Sequence, residues 1–240
     1  MAAPILWLFD LDNTLHDASH AIFPAIHLNM NRFIATTLEA AGLPFDAAAI
    51  EAARQGYWRR YGATLLGMVK HHQIRAEDFL REAHHFDDLA AMIRSERGLA
   101  AVLKQLPGRK ILLTNAPTRY SREVVRHLGL HRHFAQHIAI ESMQVHRRLQ
   151  PKPSRTLLRR LLKKERVKAS RCVLVEDTLV NLKAAKAVGM GTVLITRHAL
   201  RETRAGTNAP ALYQGRSYVD MRARSLIRFL NRARSWRTQG

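Results

Sequence analysis

Asp10 and Asp12 stand two residues apart at the end of a short apolar run, Ile5-Leu6-Trp7-Leu8-Phe9. A run of that length reads as a buried strand. A carboxylate at its end is costly to bury unless it is paired or binds a metal, and the carboxyl ends of strands are where open α/β sheets hold their ligands. Three further groups follow in order: Thr114-Asn115 after Lys110-Ile111-Leu112-Leu113, Lys152 between Pro151 and Pro153, and Glu176-Asp177 after Val173-Leu174-Val175. Each alone has a plainer reading. Asp10 and Asp12 could form a polar turn, Thr114-Asn115 could start one, Lys152 could be a solvated charge, and Glu176-Asp177 could cap a helix. Together they supply what phosphate ester hydrolysis needs: a nucleophile, an acid for the leaving oxygen, and positive charge. A carboxylate is a recognised nucleophile for this chemistry. It repels a phosphate oxygen at about 4 Å by roughly 4 kcal/mol per charge pair at an effective dielectric near 20. Mg²⁺ suits the task of offsetting that repulsion, because it takes oxygen ligands and binds through one or two carboxylates plus substrate phosphate.

Asp10-Leu11-Asp12-Asn13-Thr14 resembles the DxDxT nucleophile motif of the haloacid dehalogenase-like superfamily, and the other three groups resemble its later motifs in order. The resemblance covers about residues 5 to 200. It implies Asp10 as nucleophile and metal ligand. It implies Asp12 as general acid and then base, with its main-chain carbonyl as a further metal ligand. Thr114, Asn115 and Lys152 would bind phosphate, Asp177 would complete the Mg²⁺ ligands, and Glu176 would hold a metal-bound water. Where some relatives carry a second acid a few positions on, Asn181 stands here; it would orient the shell rather than add a charge. Dehalogenases of the superfamily generally lack an acid at the Asp12 position, so the resemblance favours a phosphatase working through an aspartyl phosphate. Phosphoglycolate phosphatases, sugar-phosphate phosphatases and phosphomutases share these motifs. Leu15-His16-Asp17-Ala18-Ser19 with Ile22-Phe23-Pro24, and Tyr61-Gly62-Ala63-Thr64-Leu65, resemble the pyrimidine 5′-nucleotidase branch. That implies UMP or CMP as substrate and His16, Tyr57, Tyr61 and Thr64 as residues that select it. One of Tyr57, Trp58 and Tyr61 would stack on the base; the alternative is plain helix packing.

The elements that must position these groups follow from periodicity and punctuation. Residues 17–95 hold helical patterns and no clear strand: Ala18 to Ala41, stopped by Gly42-Leu43-Pro44, then Phe45 to Tyr61, Leu65 to His72, and Ala76 to about Phe86. Pro24 falls in the first turn of the first of these or kinks it. From Ser95 strands and helices alternate. Strands are predicted over 110–115, 137–140, 172–175 and 192–196, with helices over 120–128, 154–164 and 181–188. That rhythm means a parallel sheet with right-handed crossovers. The expected architecture is α/β, a Rossmann-like parallel sheet flanked by helices, with a helical cap inserted after the first strand. The expected divisions are residues 1–16 plus 96–205 as core, 17–95 as cap, and 206–240 as a basic C-terminal tail. In the tail, Asp220 to Trp236 reads as one amphipathic helix with Arg224, Arg228 and Arg232 along a face.

The 240-residue chain carries 39 Lys and Arg against 19 Asp and Glu, a formal net charge of +20, and 47% apolar residues, enough for a proper core. The one cysteine, Cys172, excludes a disulfide framework. No basic leader precedes the first apolar run, which Asp10 cuts short, so no signal peptide is expected. No run approaches the roughly 20 apolar residues that span a bilayer. A cytoplasmic setting and a monomer or dimer are expected, with a small phosphate ester as partner. The charge leaves open a second class, a protein on this fold that grips nucleic acid or an acidic partner. Without aromatic interleaving or a groove-reading motif, nucleic-acid binding is expected to be weak, sequence-independent and steeply salt-dependent. His71-His72 and His84-His85 point to different helix faces, as neighbours must, and read as surface.

Overall fold

The computed structural model describes residues 4–198 and 216–233. Its contacts divide the chain into two compact units, Met1–Ser19 with Ile93–Gly240, and His20–Met92.

The first unit opens with β1 (Leu6–Phe9), all four residues buried. Strands covered on both faces read as continuous apolar runs rather than alternating ones, which is why LWLF forms the middle of a sheet. The second unit is helical: α1 (Ile22–Ala40), α2 (Ala47–Tyr61), α3 (Thr64–His72), α4 (Ala76–Ala83) and α5 (Leu89–Met92). The first helix starts at Ile22, four residues later than the periodicity suggests. The N–H of Asp17 is taken by the Arg94 carbonyl (2.7 Å) and that of Ser19 by Asn13 Oδ1 (3.1 Å), so neither joins a helix. Pro24 lies in the first turn of α1, where its missing N–H is harmless. Asp46 caps α2 by accepting the Ala49 N–H at 2.8 Å, and Phe33 meets Phe79 edge-on with ring centres 5.3 Å apart.

The chain then returns to the first unit through α6 (Leu99–Gln105), β2 (Arg109–Leu113), α7 (Thr118–His127) and β3 (Gln136–Ile138). A hairpin of β4 (Gln144–Val145) and β5 (Arg148–Leu149) follows, then α8 (Arg155–Glu165), β6 (Cys172–Glu176), α9 (Leu179–Ala187), β7 (Gly191–Ile195), β8 (Met221–Ala223) and α10 (Leu226–Ala233). The sheet runs β3-β2-β1-β6-β7-β8 with every pairing parallel. Chain order therefore reverses at β1, which has β2 on one side and β6 on the other. That is the switch point at which open α/β sheets form a ligand crevice. Gly108 allows β2 to begin there: its φ is +94°, and a Cβ would lie 2.4 Å from the Ile5 carbonyl oxygen. The Leu157, Leu158, Leu161 and Leu162 face of α8 is buried, as its pattern requires, while Arg159, Arg160, Lys163 and Lys164 remain exposed.

The C-terminal segment corrects the expectation of a single helix from Asp220. Asp220 does not start a helix; its carboxylate accepts the Thr192 N–H (3.0 Å), and its own N–H donates to Thr192 Oγ1 (3.0 Å). That anchor lays Met221–Ala223 alongside Val193–Ile195 as a sixth strand. The helix begins only at Leu226, with Ser225 Oγ accepting the Arg228 N–H. Arg224 is thus off the helix, Arg228 and Arg232 are on it, and Trp236 lies outside the described residues. Leu226, Phe229 and Leu230 are buried, and Phe229 meets Trp7 of β1 edge-on at 5.9 Å. Phe229→Ala is therefore expected to destabilise the fold by about 3–5 kcal/mol. Denaturant titration checks this, and a change within the error of the fit would show that α10 is not part of the cooperative core. No helix among the described residues is long and apolar enough to cross a membrane.

Candidate active site

The four sequence groups converge in the first unit, at the carboxyl ends of β1, β2 and β6. Asp10 follows β1 directly and donates its N–H to the Val175 carbonyl (3.0 Å), which extends the ladder to β6 by one residue and fixes the side chain at the strand end. Lys152 Nζ donates to Asp10 Oδ1 at 2.6 Å and to Glu176 Oε2 at 2.8 Å, and all three side chains are nearly fully buried. The Lys152 backbone is held in turn by Asn115. Its Oδ1 accepts the Lys152 N–H (2.9 Å) and its Nδ2 donates to the Lys152 carbonyl (3.0 Å). The Asn115 side chain therefore acts on the lysine loop. Thr114, which follows β2, uses its hydroxyl to accept the Ala116 N–H (3.1 Å), turning the chain at that point. Thr14 Oγ1 lies 3.4 Å from Asp10 Oδ2, and the Asn13 and Ser19 side chains bond each other at 2.8 Å across a turn in which Asn13 has φ +58°.

Side-chain oxygens of Asp10, Glu176 and Asp177 gather within 4.8 Å of one another. Burial pushes the Asp10 carboxyl up to about 7; Glu176 adds to the rise, and Lys152 opposes it. Asp177 is raised well above the usual carboxylate range by burial and then by Glu176 and Asp10. Burial pulls the Lys152 ammonium down, but Asp10 and Glu176 outweigh it and hold it charged. Two buried carboxylates and a half-buried third against one buried cation leave an acidic surplus of hard oxygen donors, which fits a divalent ion such as Mg²⁺. Asp10 and Asp177 would be the residues to hold it, since both Glu176 oxygens are engaged, Oε2 by Lys152 and Oε1 by the Thr178 N–H. Asp177 Oδ1 also accepts from the Thr178 hydroxyl (3.0 Å), and Thr178 N–H donates to Glu176 Oε1 (3.2 Å), so the turn into α9 orients both acids. Asn181 is buried in the first turn of that helix.

The Asp12 side chain is not among the gathered metal-facing oxygens. It accepts a hydrogen bond from the Tyr120 hydroxyl (2.5 Å) on α7 and lies 2.8 Å from His16 Nε2. The Tyr120 hydroxyl is held protonated well above its usual range by burial and by Asp12, and so serves as a donor. His16, expected to select substrate, is fully buried and bonded to Asp12. Tyr120 escaped the sequence reading; it stands 108 residues from Asp12, and only the fold brings them together.

The remaining expected selectivity residues lie in the helical unit. Tyr57 and Tyr61 on α2 bond to His72 (2.8 Å) and His71 (2.6 Å) on α3, so these histidines pin tyrosines rather than simply facing solvent. The Tyr57 ring stacks on His71 at 5.3 Å and lies against Gly67, where a Cβ would come within 2.2 Å of it. Thr64 is buried, its hydroxyl donating to the Arg54 carbonyl (3.0 Å). Trp58 is exposed.

A family model described as haloacid dehalogenase-like hydrolase matches residues 6–189. Among solved structures, the chain is similar to a haloacid dehalogenase-type phosphatase from Thermococcus onnurineus, with a TM-score of 0.60 at 19% identity over 95% of this chain and 96% of that one. A protein from Lactobacillus plantarum described as a phosphoglycolate phosphatase gives 0.59 at 20% identity over 96% and 99%. One from Thermotoga maritima described as a β-phosphoglucomutase gives 0.55 at 19% identity over 95% and 97%. At such identities these likenesses speak for the fold.

Proposed function

The chain belongs to the haloacid dehalogenase-like hydrolases, and on that premise we propose that it is a phosphatase that cleaves small phosphate monoesters at Asp10. The observation that carries the proposal is the Lys152 ammonium, buried between Asp10 and Glu176 at 2.6 and 2.8 Å, within one chain turn of an independently held acid, Asp12. Asp10 attacks phosphorus and the ester P–O bond breaks, with Asp12 delivering a proton to the departing oxygen. Asp12 then takes a proton from water as that water attacks the aspartyl phosphate, releasing phosphate and restoring Asp10. Lys152 offsets the repulsion between the Asp10 carboxylate and the incoming phosphate. Asp10 and Asp177 would hold Mg²⁺, which would supply further positive charge against the phosphate oxygens. Thr114 and the backbone after β2 are the proposed phosphate contacts, and Asn115 keeps Lys152 in position. Chelation is expected to silence turnover, and added Mg²⁺ to restore it. Outer-shell partners alone are worth about 10–100-fold in metal affinity, so Asp177→Ala is expected to raise the Mg²⁺ concentration for half-maximal rate by more than that. Full activity in chelator would remove the metal from the mechanism.

The finer reading is a pyrimidine nucleoside 5′-monophosphate nucleotidase acting on UMP or CMP. It rests on the His16 to Pro24 and Tyr61 to Leu65 resemblance, with Tyr57, Tyr61 and Thr64 as the proposed selecting residues and exposed Trp58 the side chain best able to stack on a base. Against it stand the phosphoglycolate phosphatase and phosphomutase descriptions of the fold's relatives, together with the ties of Tyr57 and Tyr61 to histidines within their own unit. A panel of phosphate esters with Mg²⁺ separates the two. UMP and CMP are expected to give a higher kcat/KM than AMP, GMP, phosphoglycolate or glucose phosphates. A clear preference for phosphoglycolate or a hexose phosphate would place the chain in another branch.

A further inference from the structure

We propose that Tyr120 and His16 form a two-point clamp on Asp12 Oδ1 that assigns the transferable proton to Oδ2 and fixes the direction from which it is delivered. The proposal rests on the acid–base role of Asp12 given above. Tyr120 Oη donates to Oδ1 at 2.5 Å, His16 Nε2 lies 2.8 Å from the same oxygen, and Oη and Nε2 are 3.4 Å apart. Both side chains are buried, at 2% and 0% exposure, whereas the Asp12 side chain retains 16%. The clamp is therefore inside and the acid reaches the surface of the crevice. His16 Nδ1 has no partner among the described residues, so the ring's hydrogen bonding faces Asp12 and Tyr120. The backbone adds a third restraint, a bridge between Asp12 and His16 that closes the turn carrying both.

With His16 in its Nε2–H tautomer, Oδ1 receives two donors and is a poor place for a proton, because a hydrogen there would point at another hydrogen. The proton is carried by Oδ2, and the carboxyl plane is set by the clamp rather than by substrate. A general acid must meet the leaving oxygen at hydrogen-bonding distance and angle, and a restrained carboxyl loses no rotamer freedom at that moment. Tyr120 and His16 are buried behind Asp12; both are positioning residues that act through it.

The Phe ring keeps Tyr120's packing and removes one donor, so Tyr120→Phe tests the clamp. Turnover is compared for an alkyl phosphate, whose leaving oxygen needs a proton, and for p-nitrophenyl phosphate, whose leaving group does not. Losing one hydrogen bond to a charged group corresponds to about a tenfold to hundredfold fall in kcat for the alkyl ester. The burst rate with the aryl ester, which reports the first step alone, is expected to change little, as are both KM values, and His16→Gln, which keeps a donor, is expected to retain more of the alkyl-ester rate than His16→Ala. Equal losses on both esters in that first step, or a loss confined to KM, would overturn the clamp. If Tyr120→Phe does not fold, the His16→Gln and His16→Ala pair reads the same oxygen with the same two esters, and equal rates for that pair would also overturn it. Asp12→Asn run in parallel distinguishes the failures. If Asp12→Asn discriminates between esters and the clamp variants do not, only the clamp falls; if Asp12→Asn does not discriminate, the acid role itself falls.

Discussion

Asp10→Asn is expected to reduce turnover of every phosphate ester to background while leaving a folded protein. The amide keeps the shape of the carboxyl and loses the nucleophile, and Asp12, two residues on, is held against Tyr120 and His16 instead. Stability gives a second readout with a definite sign. Burial and Glu176 push the Asp10 carboxyl from an ordinary 3.8 up to about 7 in the folded chain. Between those values the folded state holds a proton that the unfolded state releases, so metal-free stability falls as pH rises through that window. Asparagine has no proton to hold. The metal-free variant is therefore expected to unfold at the same temperature as the parent or higher at pH 8, with the advantage vanishing near pH 4. Measuring Tm against pH in chelator, alongside the rate in Mg²⁺, checks both halves. A folded Asp10→Asn protein that hydrolyses esters at near the parent rate would remove Asp10 from the mechanism. A variant that is less stable at pH 8 than at pH 4 relative to the parent would mean that the Lys152 contact outweighs burial.

The groups that meet at the candidate site were legible because each is announced locally. Asp10, Thr114 and Asp177 end or follow short apolar runs, and Lys152 is bracketed by prolines; such signals need no knowledge of the fold. The α8 leucine face was equally plain, since its period matches the helix it forms. What stayed hidden depends on partners distant in sequence. The three residues of β8 have no alternation of their own and become a strand because Thr192 binds Asp220. The β4–β5 hairpin turns on His146 and Arg147, both at positive φ (51° and 60°), where a sequence reader looks for Asn-Gly. Tyr120 looked like any aromatic in the first turns of an amphipathic helix. Its function comes from where α7 sets it down, and the same placement turns His16 from an expected substrate contact into a neighbour of the acid.

Asp12→Asn is expected to slow hydrolysis by about 10²–10⁴-fold, the usual size of a general acid–base contribution. The loss should depend on the leaving group. A ribose 5′-oxygen or another alkoxide departs badly without a proton, so alkyl esters should show the full effect in the first step. A nitrophenolate departs unaided, so an aryl ester should lose less there and be limited instead by breakdown of the aspartyl phosphate, the step in which Asp12 works as base. Burst kinetics with the aryl ester should therefore reveal product released once per enzyme and then slow turnover, with phosphate retained on Asp10. The Asn side chain also presents an amide to Tyr120 and His16, where the carboxylate had accepted from Tyr120. Asn Oδ1 can still accept those donors, so the clamp survives while the proton is lost, and the variant should remain folded. An equal loss on alkyl and aryl esters, with no burst, would count against Asp12 as the proton donor and return it to the polar turn that its spacing first allowed.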